Sequence, residues 1–164
     1  MTAPIRWPAE AVWEAVAPLL PGFTVEVLPS IDSTNTELMR RARAGQTEPT
    51  LLVAEQQTAG RGRLGRVWQS DVGASLMLSL GLPMAPKDWS GLSLAVGVSV
   101  AESLQPTLPP LEPGQPPRIG LKWPNDLWLS GDRKLGGILV ETASFVAPQA
   151  AQPTKTHGTA ARYG

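Results

Sequence analysis

Residues 60–68, GRGRLGRVW, set three arginines among three glycines and close on Trp68. Glycines let backbone amides turn toward an anion, and guanidinium groups can grip a phosphate at two points. The stretch therefore reads as an anion loop, with a phosphate-bearing ligand as the best fit. Taken in isolation it could equally be a solvated turn whose arginines keep an edge soluble. Lys122, one of only four lysines, stands between Leu121 and Trp123 and is followed by Pro124-Asn125-Asp126. Such a frame can aim an ammonium at developing negative charge. The structural alternative is an edge lysine whose stem lies along apolar surface. Gly136-Gly137 would let a ligand come close to the backbone. Cysteine is absent, which excludes disulfides, thiolate metal sites and a cysteine nucleophile. The single histidine, His157, falls in a tail without apparent structure and is not expected to be a general base.

These residues must be held by regular elements, and prolines and glycines punctuate the chain clearly. Pro8 to Leu20 carries Val12, Trp13, Val16, Leu19 and Leu20 at helical spacing, and Pro21-Gly22 stops it. FTVEVL (23–28) alternates like a strand. Thr34-Asn35-Thr36-Glu37 has capping-box spacing and opens a helix that Gly45 can end, so Ser33, Thr34 and Asn35 lie at a strand-to-helix turn. TLLVAE (50–55) and SLMLSLGL (75–82) read as strands joined by the arginine loop. Asp88 can cap an apolar helix running to Leu104. Six prolines between Pro106 and Pro117 predict a surface crossing. IGLKW and LWLS read as short strands on either side of Pro124-Asn125-Asp126. Ser130-Gly131-Asp132-Arg133 then turns into a strand, KLGGILVETASF, that runs to Phe145. Val146 to Gly164 has little to bury and is expected to be a loop or disordered tail.

The whole chain bounds the partners. At 164 residues, 42% hydrophobic and 17% charged, it has the composition of one globular domain. Its fourteen basic and fourteen acidic residues cancel, so any anion site is local, and no global field favours nucleic acid or an anionic membrane. Neither a signal-peptide pattern nor an apolar run of about 18 residues occurs, and a cytoplasmic protein is expected.

Four stretches taken together, STN (33–35), AEQQTAGRGRLGRVW (54–68), KWPNDLWL (122–129) and RKLGGILVE (133–141), closely resemble the catalytic domain of biotin protein ligases in sequence, order and spacing. The resemblance spans roughly residues 28–145 and implies an α+β fold: a mixed central β-sheet with helices packed on one face, of the class II aminoacyl-tRNA synthetase-like kind. It divides the chain into a catalytic domain, 1–145, incomplete at its C-terminus, and a tail, 146–164. It implies that biotin and ATP, with Mg2+, form biotinyl-5'-AMP and pyrophosphate, and that a lysine of a biotin carboxyl carrier domain then takes the biotin. Ser33, Thr34, Asn35 and Gln57 match positions that hold the biotin ureido ring, and Gly136, Gly137 and Ile138 match the biotin slot. Gly60, Arg61, Gly62 and Arg63 match the adenylate loop, and Trp68 an aromatic position beside the adenine. Lys122 matches the essential lysine on the biotin carboxylate and α-phosphate, with Arg63 beside it in the chemistry. Asn125, Asp126 and Lys134 lie where nucleotide and metal would be, Asp126 being the one metal-ligand candidate.

Two expectations come from departures. Too little chain precedes the motifs for the DNA-binding winged helix of many relatives, so no DNA partner is expected. The Gly-Ile-Gly-x-Asn-like strand and C-terminal domain of relatives do not follow RKLGGILVE, which leaves an inactive, biotin-binding fragment as one alternative. Lipoate ligases, the nearest rival, carry an RR-x-SGGG pattern and a His-Asp pair that this chain lacks. A non-enzymatic RNA- or anion-binding module would use the loop with Arg40, Arg41 and Arg43. The oligomeric state is open, a homodimer included.

Overall fold

The computed structural model describes residues 5–109 and 112–144. The tail at 146–164, Phe145 and His157 lie outside them. Helix α1 (Ala9–Val16) is shorter than its apolar spacing suggested, because the chain leaves the helix in a turn four residues before Pro21. It docks on the first strand through Trp13, whose Nε1 donates to the carbonyl of Phe23 at 3.0 Å. Strand β1 (Thr24–Leu28), helix α2 (Thr34–Arg43) and strand β2 (Thr50–Ala54) form a β-α-β unit. β1 and β2 run parallel, Thr24 opposite Thr50 through Leu28 opposite Ala54, a pairing that needs a crossover such as α2. Leu52, Val53 and Ala54 are buried, as expected of a strand flanked on both sides.

Strand β3 (Met77–Gly81) closes this sheet on the other side of β2, antiparallel, with Leu51 opposite Leu80 and Val53 opposite Leu78. Alternation is strict along it: Met77 and Ser79 are buried, Leu78 and Leu80 exposed. The expected mixed sheet is thus β1-β2-β3. The other three strands form a second sheet of their own, an antiparallel meander of β4 (Ile119–Lys122), β5 (Asp126–Leu129) and β6 (Arg133–Gly137). The predicted turn between β5 and β6 has positive φ at both Gly131 (83°) and Asp132 (59°), the backbone that a tight hairpin of matching twist requires.

Helices α1 and α2 pack against the first sheet, and helix α3 (Leu92–Leu104) against the second. α3 comes close through Gly97, where an added Cβ would lie 2.7 Å from Leu121 Cδ2 and 3.3 Å from Ile138 Cδ1. Two boundaries differ from expectation. Asp88 does not cap α3: its Oδ1 accepts from Ser90 N at 2.8 Å, and the helix begins after Gly91, which has φ 75°. The strand expected to reach Phe145 stops at Gly137, where Ile138 N donates instead to the carbonyl of Asn125 at 2.8 Å.

Candidate active site

The two sheets, α2, α3 and the arginine loop border one open cleft of about 2060 Å³. At one end lies the turn into α2. Ser33 caps the helix, its Oγ accepting from Thr36 N at 3.3 Å, one residue earlier than the capping-box spacing suggested. Glu37, the expected box partner, instead accepts from Arg40 and Arg41. Capping at Ser33 puts Thr34 in the first turn of the helix and buries it. Gln57 Oε1 accepts from both Thr34 N (2.7 Å) and Thr34 Oγ1 (3.0 Å). Thr34 Oγ1 is also 2.8 Å from Ser79 Oγ, which donates to Asn35 Oδ1. Asn35 is oriented by its amide nitrogen, which donates to the carbonyl of Leu139 and to Glu141 Oε2, both at 3.1 Å.

Counting protons in this cluster decides what it can bind. The oxygens of Thr34, Asn35, Gln57 and Ser79 share two hydroxyl protons and one backbone N–H, so lone pairs outnumber donors. A ligand bringing N–H groups would complete the set. Ser79 belongs to this site and was missed from sequence. Its signal was a serine on the inward face of an apolar alternating strand, where a polar side chain needs a partner.

The other end is cationic. Arg61, Gly62, Arg63, Trp68, Asn125, Asp126 and Lys134 all border the cleft. Lys134 Nζ pairs with Asp126 Oδ1 at 2.8 Å and lies 5.4 Å from the centre of the Trp68 ring. Arg63 Nη1 donates to Asn125 Oδ1 at 3.4 Å, and Asn125 Nδ2 to the carbonyl of Ile138 at 2.9 Å. Gly136, Gly137 and Ile138 run along the wall between the two ends. The loop is a small closed excursion rather than open coil. Trp68 N donates to the Gly60 carbonyl at 2.9 Å and Gly62 N to the Arg66 carbonyl at 2.7 Å, while Leu64, left-handed at φ 58°, is 88% exposed.

Two expected site residues are placed elsewhere. Lys122 does not border the cleft; its ammonium sits over the Trp128 ring, 3.9 Å from the centroid. It pairs in register with Asp126 and so shares the sheet face of Lys134, but it is Lys134 that reaches the cleft. Gly60 is buried behind the cleft, and a Cβ there would lie 2.9 Å from the Trp68 carbonyl oxygen and 3.1 Å from Gln57 Nε2. Its role is close packing that brings loop and turn together.

Magnesium favours oxygen ligands and is commonly held by one or two carboxylates together with phosphates. Among the described residues no group of three His, Cys, Asp or Glu could hold a metal ion. Asp126 can offer a nucleotide-bound ion one carboxylate, in competition with Lys134. Arg40 and Arg41, required by the RNA-binding alternative, are engaged in two-point contacts with Asp32 and Glu26. Among the described residues no helix is long and apolar enough to cross a membrane.

Fold and cleft together define an α+β domain that joins a donor-poor polar slot to a cationic loop, suited to a small ligand with polar N–H groups and an adjoining anion. Residues 27–151 match the biotin/lipoate A/B protein ligase family, and the chain belongs to it. A biotin–[acetyl-CoA-carboxylase] ligase of Mycobacterium tuberculosis is 42% identical over 125 residues, covering 73% of this chain and 44% of the relative. The biotin protein ligase of Leishmania major, solved in complex with biotinyl-5-AMP, is 28% identical with a TM-score of 0.58, covering 73% of this chain and 52% of that one. That of Aquifex aeolicus, solved with biotin and ATP, is 33% identical with a TM-score of 0.54, covering 73% and 47%. The chain therefore spans less than half the length of the curated relative it matches.

Proposed function

We propose that this domain activates biotin with ATP to biotinyl-5'-AMP and passes the biotin to a lysine of a biotin carboxyl carrier domain. The observation that carries this reading is the donor-poor cluster of Thr34, Asn35, Gln57 and Ser79 in the same cleft as Arg61, Arg63 and Lys134. A ureido ring brings two N–H donors to such a cluster. Its valeryl chain can then lie along Gly136-Gly137-Ile138, where small residues admit an aliphatic chain close to the backbone.

In the first step a biotin carboxylate oxygen bonds to the α-phosphorus of ATP, the bond to the bridging oxygen breaks, and pyrophosphate leaves with its electron pair. Charge grows on the α-phosphoryl oxygens and on the leaving group. Lys134 borders the cleft and is oriented by Asp126, so it is the ammonium best placed to oppose that charge, with Arg61 and Arg63 supplying forked donors. Lys122, held against Trp128, supports the same sheet face at one remove. Trp68 offers a flat surface beside Lys134 for the adenine. Asp126 would supply an oxygen to magnesium arriving with the nucleotide. In the second step the carrier amine attacks the acyl carbon, loses a proton and displaces AMP. Neither step needs a protein nucleophile, only alignment and fixed charge.

Calorimetric titration with biotin, then pyrophosphate release on adding ATP, tests the reading. Biotin binding with biotin-dependent pyrophosphate release is expected. Binding of lipoate but not biotin would overturn the substrate assignment, and binding of neither would overturn the function.

A further inference from the structure

On the wall of the cleft stands Glu141, the last residue of the RKLGGILVE stretch. Its Oε2 accepts from Asn35 Nδ2 at 3.1 Å, and both of its oxygens lie 3.3 Å from Arg61 Nη2. Arg61 Nη2 also donates to Thr36 Oγ1 at 3.0 Å, in the first turn of α2. One carboxylate thus touches the amide that orients the ring-binding cluster and the guanidinium that enters the anion loop. We propose that Glu141 is a positioning residue that couples the two ends, so that a ligand filling the ring-binding cluster sets Arg61 in place for the nucleotide.

Three features of the geometry support this. Asn35 has both amide hydrogens committed, to Leu139 and Glu141, so the direction of its Oδ1 and the place of the Glu141 carboxylate are one conformational choice. A ring N–H bonded to Oδ1 stabilises that choice. Among the described residues all contacts of the Arg61 head fall on Nη2, which leaves the rest of the guanidinium fork to grip a phosphate while Glu141 holds it. The ion pair is long, and the Arg61 side chain is 45% exposed, so its own strength is small and Arg61 can shift when the site is empty. Occupancy of the ring cluster then lowers the ordering cost paid when the phosphate binds, which is positive coupling without a large movement. This inference rests on the function proposed above.

Glu141→Gln keeps the shape and an oxygen acceptor for Asn35, and removes the charge that holds Arg61. The measurement is the Kd of the magnesium complex of adenosine 5'-(α,β-methylene)triphosphate, by calorimetry, with and without saturating biotin. Wild type should bind the nucleotide about tenfold more tightly when biotin is present, within the usual range of coupling between sites. In Glu141→Gln that ratio should fall below about twofold, while the Kd for biotin alone stays within about threefold. A second measurement needs no variant: biotin alone should slow trypsin cleavage after Arg61 in the wild-type protein several-fold. An unchanged ratio in Glu141→Gln, a wild-type ratio of one, or cleavage indifferent to biotin would each overturn the coupling and leave the ligase reading standing. Failure of the wild-type protein to bind biotin at all would instead remove that reading, and the coupling with it.

Discussion

At the scale of single residues, the two lysines of the second sheet divide by where their ammonium groups lie. Lys134 is at the cleft beside Asp126 and Trp68, and Lys122 is over Trp128. Lys134→Ala should reduce biotin-dependent pyrophosphate release by about 10²–10³-fold, the scale for one preorganised donor, with biotin affinity nearly unchanged. Lys122→Ala should cost about tenfold or less in the same assay, and the reverse order would assign the phosphate contact to Lys122. Arg63 reaches the cleft from the turn at the tip of the loop, and among the described residues its guanidinium donates to the Asn125 side chain alone, through a long contact. It is better suited to retaining a formed adenylate than to building one. Arg63→Gly should speed release of biotinyl-5'-AMP roughly tenfold to a hundredfold, the worth of one charge-assisted hydrogen bond. The readout is biotin appearing on a bystander protein such as serum albumin. Unchanged bystander labelling with slow adenylate formation would place Arg63 in the chemical step.

At the scale of elements, the arginine loop and α2 behave differently. The loop closes on itself between Gly60 and Trp68, and Gly60 packs against backbone that cannot move aside cheaply. Gly60→Ala should therefore push the Trp68 segment away from Gln57 and weaken biotin binding by about tenfold or more, as overpacking of about 1–3 kcal/mol implies. Calorimetry would show it, and an unchanged Kd would mean that the loop can shift without disturbing the ring site. Helix α2 is tied down by charge: Arg40 binds Asp32 and Glu37, and Arg41 binds Glu26 and Glu37. The Arg40 guanidinium, then the Ser33 amide, hold the Asp32 carboxyl at about 2, below the usual carboxylate range. A carboxyl whose pKa is lowered by folding stabilises the fold above its unfolded value and loses that contribution as pH falls toward the folded one. Between about pH 4 and 2 the wild-type protein should lose stability more steeply than Asp32→Asn, which should already be slightly less stable at pH 7. Parallel urea midpoints for the two proteins across that range would contradict the assignment.

For the molecule as a whole, the cleft of about 2060 Å³ is larger than the roughly 300–1,000 Å³ usual for a small-ligand site, so a bound ligand fills only part of it. Both sheets and the loop border it, so a ligand there bridges two sheets that share no strand and that side chains such as Asn35, Arg61 and Arg63 connect. Ligand bound only to the folded state at one hundred times its Kd contributes about 2.7 kcal/mol. Biotin at that excess should raise the melting temperature by about 5–10 °C for a domain of this size, and a biotin analogue lacking the ureido carbonyl and N–H groups should not. A melting temperature indifferent to biotin at that excess would mean that the ring cluster does not bind it.

The sequence by itself determined most of the elements and the order of the motifs along them. Hydrophobic period and turn residues placed β1, α2, β2, β3 and the β5–β6 hairpin, because these depend on local spacing and on backbone that only certain residues adopt. The quoted motifs located the polar turn, the arginine loop and the wall at Gly136-Gly137-Ile138. The Asp88 cap and the strand to Phe145 were misread, since a competing Asx contact and the reach of a neighbouring strand are not encoded in spacing. Tertiary structure decided everything that depends on distant chain segments meeting. It separated the six strands into two sheets, because which strands pair depends on where the connections carry them and not on local spacing. It set the Lys134 ammonium beside Asp126 and Trp68 and the Lys122 ammonium over Trp128, because strand register fixes a shared face but not where a long side chain ends. It brought Ser79 to Asn35 and Glu141 to Arg61, contacts 44 and 80 residues apart, and no local signal can announce a partner that only folding delivers.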